Sequence, residues 1–269
     1  HEDLPNGYVF HNEPFSQMAF MIVADNFDPR EDAVPVAERS SFDRWLLASL
    51  QELIEVAHDA YSNYATQKLV KDAERFIDQM SNWYLRRSRE RFWKEGKAQD
   101  KLAAFHTLHE VLVTLSKVLA PVLPFVTESL YQNLVVSIDA DAPPSIHLEE
   151  FPKVDESLAD RDLIERMRMV VQIVELGRVI RKEHKLRVRQ PLSRLSVALK
   201  SEKESAWLDE FEDQILDELN IKEIAALDNP AELVTYRVKP NFRLLGPRFG
   251  KRVPEIGKTL NTMDAAELA

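Results

Sequence analysis

Ser81 to Trp93 reads SNWYLRRSRERFW, four arginines and four aromatic rings in one short stretch. No Pro or Gly interrupts the run from Tyr64 to Lys94, and Gly96 offers a stop, so a single helix is expected there. On a wheel of about 100° per residue centred on Asn82, residues Lys68, Lys71, Arg75, Arg86, Arg89 and Trp93 all fall within about 40°. Asp78 interrupts this stripe at its edge. The stripe extends roughly 38 Å at about 1.5 Å per residue. Leu69, Ala73, Phe76, Ile77, Met80 and Tyr84 occupy the other side, which makes that side the core face.

The arginines are therefore not equivalent. Arg86 and Arg89 share the basic stripe. In a regular helix Arg87 and Arg91 follow the line of Phe76 and Met80, so both are expected to pair with buried carboxylates or carbonyls. Trp83 lies off both faces and suits either a core edge or a stacking platform. Charge runs of this kind are more often solvated helix faces. A ring and an asparagine set among arginines also suit unpaired RNA bases, and the residues alone leave the two readings level.

The whole chain has 269 residues, 45% hydrophobic, with net charge −10. This is the composition of a folded protein with a sizeable core. An acidic total argues against non-specific attraction to polyanions. The distribution argues for local attraction. Residues 81–97, 178–194 and 239–258 carry +4, +6 and +5, which leaves −25 on the other 215 residues. There is no Cys, so disulfides and Cys-bound zinc are excluded. No apolar run of membrane-spanning length stands out, and the first residues do not read as a signal peptide. The chain starts without Met, as an excised fragment would.

Residues 1–30 are aromatic and irregular. They read either as a leader or as a severed connection from a preceding domain. After a polar linker, Ser40 and Ser41 offer N-caps to a helix over about 42–61, with Asp43 in its first turn. Helices then follow at 64–94, 99–119 and 122–136, the last with Pro124 in its first turn. Four apolar-striped helices with short connections imply an antiparallel bundle. Residues 137–159 form a Pro- and Asp-rich loop, read as a boundary. Beyond it come a long helix over about 160–185, a strand at 195–199, an acidic helix at 203–219, and short strands at 221–227 and 233–238. The fold class is therefore mainly α: a helical bundle followed by a small α+β unit. The expected divisions are 1–39, 40–150 and 151–269.

The second basic island (GRVIRKEHKLRVRQPL, 177–192) ends the long helix, where cations suit the dipole. Arg187 and Arg189 alternate with Leu186 and Val188, as on one face of an extended segment. His184 lacks the neighbours of a catalytic base. The third island, KPNFRLLGPRFGKR (239–252), is a glycine loop among cations, but GxxxxGK[ST] is absent and a plain turn is the simpler reading. GxSxG, HExxH, GxGxxG and CxxC are also absent, and no catalytic constellation is evident.

At SNWYLRRSRERFW the chain resembles a family. With DRWLLASL (43–50) before it and LAPVLPFVTESLYQNL (119–134) after it, the region resembles the anticodon-binding helical domain of class I aminoacyl-tRNA synthetases. The Asn-Trp-Tyr segment, VRQPL (188–192) and KPNFRLLGPRFGK (239–251) look like the isoleucyl enzymes. The resemblance runs from about Phe10 to Lys251. It implies a parent ligase that charges isoleucine tRNA with ATP and magnesium in the cytoplasm. It also implies a fragment without the catalytic HIGH and KMSKS signatures or an editing domain, and so inactive by itself. Residues 1–39 would be the tail of the catalytic part. No cofactor is expected in the fragment, and the expected partner is isoleucine tRNA, with neither DNA nor membrane, bound by a monomer. The expected contacts are Lys71, Arg75, Asn82, Arg86, Arg89 and Trp93, then Trp83, Arg87, Arg91 and Lys94. The alternative is a protein-interaction module whose basic face meets an acidic partner.

Overall fold

The computed structural model describes residues 27–30, 33–93, 98–199, 201–227, 245 and 249–262. The chain divides into two compact units, residues 1–168 and 169–269. Lys94 and the expected strand at 233–238 lie outside the described residues, as does most of the 239–252 loop.

In the first unit, α1 (Ser41–Ser62) starts at a full capping box. The Ser40 hydroxyl accepts from the Asp43 amide, and the Asp43 carboxylate accepts from the Ser40 amide. Helix α2 (Thr66–Gln79) follows a short turn and runs into a π-helical turn (Met80–Leu85), and the short α3 (Arg89–Trp93) completes this arm. Helix α4 (Gln99–Leu119) and α5 (Pro124–Tyr131) come next, α5 continued by a second π turn over Gln132–Val136. Pro124 opens α5, where its missing N–H costs no helical bond.

Two sets of contacts fix an up-down-up arrangement, with α1 and α4 parallel and the α2 arm antiparallel to both. Near the start of α1, Asp43 bonds Tyr84 and Arg91, and Arg91 bonds Asp100 at the start of α4. At the far end of α1, the Tyr61 hydroxyl donates to the Val118 carbonyl near the end of α4, at 2.9 Å. The core between these ends holds Trp45, Leu46, Leu50 and Ile54 from α1, Leu69, Phe76, Met80 and Tyr84 from the α2 arm, and Phe105, Leu108, Leu112 and Leu115 from α4. Each such side chain contributes about 1.5–3 kcal/mol on burial. Helix α4 is long and apolar enough to cross a membrane, contrary to the sequence reading, but 67% of its apolar window is buried inside the protein. It is a core helix.

Residues 137–160 pack on the bundle. Tyr131 donates to the Pro143 carbonyl (3.0 Å) and Glu128 accepts from Ser145 (2.8 Å). His58 bonds the Pro152 carbonyl (2.8 Å), and Gln51 accepts from the Asp155 amide (2.8 Å).

Helix α6 (Arg161–Glu183) begins at Asp160, whose side chain accepts from the Leu163 amide. Within the second unit, β1 (Leu195–Ala198) and β2 (Ile224–Leu227) pair in parallel, with Leu195 opposite Ile224 and Ala198 opposite Leu227. A parallel pair needs a crossover, and α7 (Glu202–Glu210) and α8 (Glu212–Leu219) supply it. The expected single acidic helix is thus two, broken at Phe211, whose ring is buried. Gly177 of α6 lies so close to Leu219 that a Cβ there would come within 2.5 Å of a Leu219 methyl. Farther on, Val253–Thr262 forms α9.

Candidate nucleic-acid interface

The π turn decides what the arginines do. The core line along this arm runs through Leu69, Ala73, Phe76 and Met80, then Tyr84, Ser88 and Phe92, with Trp83 buried beside it. From Met80 onward every step is four residues. In a regular helix Phe92 would stand about 120° round from Met80. The π turn takes in one extra residue and cancels most of that drift. Ser88 and Phe92 therefore take the core positions that an uninterrupted helix would give to Arg87 and Arg91. This corrects the expectation of an unbroken helix and of a core line through those two arginines.

Arg87 and Arg91 lie at the margin of the core instead. Arg87 holds its guanidinium 5.9 Å from the Phe42 ring centroid. Arg91 still makes the buried pair expected of it. Its Nη1 and Nη2 donate to Asp43 at 3.0 and 2.7 Å, and its Nε donates to Asp100 at 2.8 Å. Asp43 is 0% exposed and also accepts from the Tyr84 hydroxyl at 2.6 Å and the Ser40 hydroxyl at 2.7 Å. Burial pushes the Asp43 carboxyl up. The hydrogen bonds and charge of Arg91, with help from Ser40 and Tyr84, outweigh it and hold the pKa below the usual 3.8. Burial and the neighbouring carboxylate raise Tyr84 well above its ordinary value. Arg91 thus braces α1, α3 and α4. Trp83 is also on the inside. It is 5% exposed, so of its two possible roles it takes the core one.

The π turn rotates Arg86, Arg89 and Trp93 by about 100° relative to Lys68, Lys71 and Arg75, so the wheel's single line is not kept. The residues of the expected stripe, Lys68, Lys71, Arg75, Asn82, Arg86, Arg89 and Trp93, are nonetheless all exposed, Trp93 at 72%. Part of the charge is matched locally. Lys68 pairs with Asp59 at 3.1 Å, Arg75 pairs with Asp72, and Asn82 donates to Asp78 at 2.5 Å. Such exposed pairs are worth about 0–1 kcal/mol, so a phosphate can draw Lys68 and Arg75 away at small cost. Arg86 folds back so that its Nε donates to the Asn82 carbonyl at 3.0 Å. Lys71 and Arg89 make no ion pair among the described residues.

In the second island the structure differs from the extended segment expected. Residues 187–190 form a turn closed by the Gln190 amide on the Arg187 carbonyl at 3.0 Å. Arg181, read from sequence as one of the cations capping a helix end, is buried at 3% exposure. Its Nη1 donates to the carbonyls of Arg187 and Gln190, both at 3.0 Å. Its Nη2 donates to those of Leu219 (2.5 Å) and Asn220 (3.2 Å). No sequence signal distinguishes Arg181 from its exposed neighbours except its place one turn after Gly177 on the apolar side of α6. Among the described residues no group of three or more His, Asp or Glu could hold a metal ion.

A family model described as the anticodon-binding domain of tRNA ligase matches residues 43–198. The chain is 39% identical to the isoleucine–tRNA ligase of Clostridium novyi, over 91% of this chain and 23% of that protein. It is 42% identical to that of Streptomyces coelicolor, over 90% of this chain and 22% of that protein. It is 43% identical to that of Chlamydia trachomatis, over 87% of this chain and 22% of that protein. The chain thus spans under a quarter of the length of the curated relatives it matches.

Proposed function

The chain belongs to the anticodon-binding domain family of tRNA ligases, and we propose that its bundle holds the anticodon stem and loop of isoleucine tRNA. Lys68, Lys71, Arg75, Arg86 and Arg89 engage phosphates along the stem, and such contacts set position without reading sequence. Trp93, with Asn82 beside Arg86, stacks or bonds unpaired bases of the loop. Trp83, Arg87 and Arg91 support that face from behind, and Lys94 is a further candidate contact.

In the same reading, the larger protein joins isoleucine to its tRNA with ATP and magnesium. It does so as a cytoplasmic monomer, and this chain alone has no ligase activity. Residues 1–39 lead in from the catalytic part, residues 40–150 bind RNA, and residues 151–269 form the α+β unit. The observation that carries the reading is the exposed basic face ending in a 72%-exposed Trp93, within the stretch the family model matches.

The test is binding of this chain to isoleucine tRNA and to the same tRNA with a scrambled anticodon loop. The native loop should bind at least tenfold more tightly, and Arg86→Ala with Arg89→Ala should weaken both while leaving the fold intact. Equal affinity for both loops, or equal competition by an acidic polypeptide, would mean an acidic protein partner instead. Isoleucine-dependent ATP–pyrophosphate exchange by this chain would sink the claim that it is inactive alone.

A further inference from the structure

We propose that the turn after α6, residues 182–190, is a second phosphate-binding surface that grips the RNA backbone independently of the helical bundle. This rests on the tRNA reading above. The bundle stripe spends several of its cations on neighbouring acids, but this turn does not. Lys182, Lys185, Arg187 and Arg189 are exposed and make no ion pair among the described residues. Arg178 and Arg194, at the edges of the same island, are matched by Glu218 and Glu223. Residues 182–190 contain one acid, Glu183.

The charge beneath the turn is the second observation. Arg181 is buried and bonds four backbone carbonyls, and no carboxylate reaches it among the described residues. A buried guanidinium normally has an acid against it. Here the fold holds a positive charge on carbonyl oxygens alone, with no acid among the described residues, beneath a turn that carries four more. An anion docking on that surface meets four exposed cations, with Arg181 buried behind them, and displaces no ion-pair partner of theirs among the described residues.

The third observation is rigidity. Arg181 fixes the carbonyls of Arg187 and Gln190, and Asn220 Nδ2 donates to the Val188 carbonyl at 3.0 Å. Helix α6 ends with the Leu186 amide on the Arg181 carbonyl (2.8 Å) and the Lys185 amide on the Lys182 carbonyl (3.1 Å). Lys185 takes the left-handed position there, at φ 54°, where glycine is usual. The backbone is thus tied at Arg187, Val188 and Gln190 while the side chains of Arg187 and Arg189 face solvent. The helix dipole accounts for Lys182 and Lys185. It does not account for Arg187 and Arg189, which lie beyond the helix.

The chemistry favours phosphodiesters over an acidic peptide. Guanidinium forks fit phosphate oxygens. Val188 is the exposed aliphatic side chain of the turn itself, while Leu176, Val179 and Ile180 are exposed on the helix before it, and the tRNA reading selects the phosphodiester.

The experiment compares the full chain with Arg187→Ala/Arg189→Ala, measuring affinity for an isoleucine tRNA transcript between about 50 and 200 mM salt. The Arg86→Ala/Arg89→Ala variant runs in parallel. The turn variant should melt like the parent and bind about 10- to 100-fold more weakly. Its salt slope should fall by roughly 1–2, about one per lost contact. The loss should be the same for native and scrambled anticodon loops, because backbone contacts carry no sequence information. Arg187→Lys/Arg189→Lys should retain most of the slope. An unchanged affinity and slope in the turn variant, with the bundle variant impaired, would overturn this inference and leave the bundle reading standing. Absence of tRNA binding by the parent chain would overturn both. Loss of polyglutamate binding with tRNA binding intact would overturn it in favour of an acidic protein partner.

Discussion

Replacing Arg91 with alanine should unfold the bundle rather than weaken RNA binding directly. Arg91 makes two hydrogen bonds to the Asp43 carboxylate and bonds both the side chain and the carbonyl of Asp100. Its side chain is 14% exposed, and that of Asp43 is 0% exposed. Truncation leaves Asp43 buried with the Ser40 and Tyr84 hydroxyls but no positive charge. Breaking a buried pair by removing one partner costs about 3–5 kcal/mol, because the remaining charge stays uncompensated. For a unit of this size each kcal/mol lowers Tm by about 2–4 °C. The expected fall is therefore about 6–20 °C, followed by far-ultraviolet circular dichroism. Arg89→Ala, on an exposed side chain two residues away, should stay within about 0.5 kcal/mol of the parent. At a temperature where both remain folded, Arg91→Ala should bind tRNA more tightly than Arg86→Ala/Arg89→Ala. An Arg91→Ala melt within about 1 °C of the parent, or a binding loss with no stability loss, would refute the bracing role.

The Asp43 carboxyl titrates below its ordinary value in the folded chain. Its contribution to stability is therefore complete above about pH 4 and is lost as pH falls through the folded pKa. Urea midpoints between pH 5 and pH 2 should drop more steeply for the parent than for Asp43→Asn, and parallel curves would contradict this. The two tryptophans of the arginine segment should separate cleanly. Trp83→Ala removes a buried ring and should cost about 3–5 kcal/mol of stability. Trp93→Ala should leave the melt unchanged and cost about 1–3 kcal/mol of affinity for an RNA loop. Reversed phenotypes would mean that Trp83 turns outward when RNA binds.

Much of the bundle was legible because its signals are local. Ser40 and Asp43 carry a capping box within four residues, and Pro124 can only begin a helix. The stripe from Lys68 to Arg75 follows from period alone. What failed was phase. A wheel assumes one residue spacing throughout, and nothing in MSNWYL announces a π turn. Two large neighbours, Trp83 and Tyr84, both become buried there. The long-range pair between Arg91 and Asp43 was legible in kind but not in partner, because 48 residues separate them. Arg181 was illegible for another reason. Cations at a helix end have a sufficient explanation in the dipole, and only the turn at 187–190 shows which one is inside. The 137–159 loop has a linker's composition, yet its Pro143, Pro144 and Pro152 carbonyls are all bonded by bundle side chains.

The π turn also explains how one helical arm can carry so many arginines and still seal a core. Without the added residue, Arg87 and Arg91 would point where Ser88 and Phe92 now pack, and two guanidinium groups would need buried partners. With it, a small hydroxyl and an aromatic ring fill those places. The Phe92 ring meets Phe105 at 5.2 Å and Tyr84 at 6.5 Å, both edge-on. Arg91 moves to the margin, where Asp43 and Asp100 pair with it, and Arg87 settles over Phe42. Arg86 and Arg89 remain exposed under either phase, although the slip turns them about 100° away from the line of Lys68, Lys71 and Arg75. The change in helical period thus sorts four arginines into two packed at the core margin and two that are exposed.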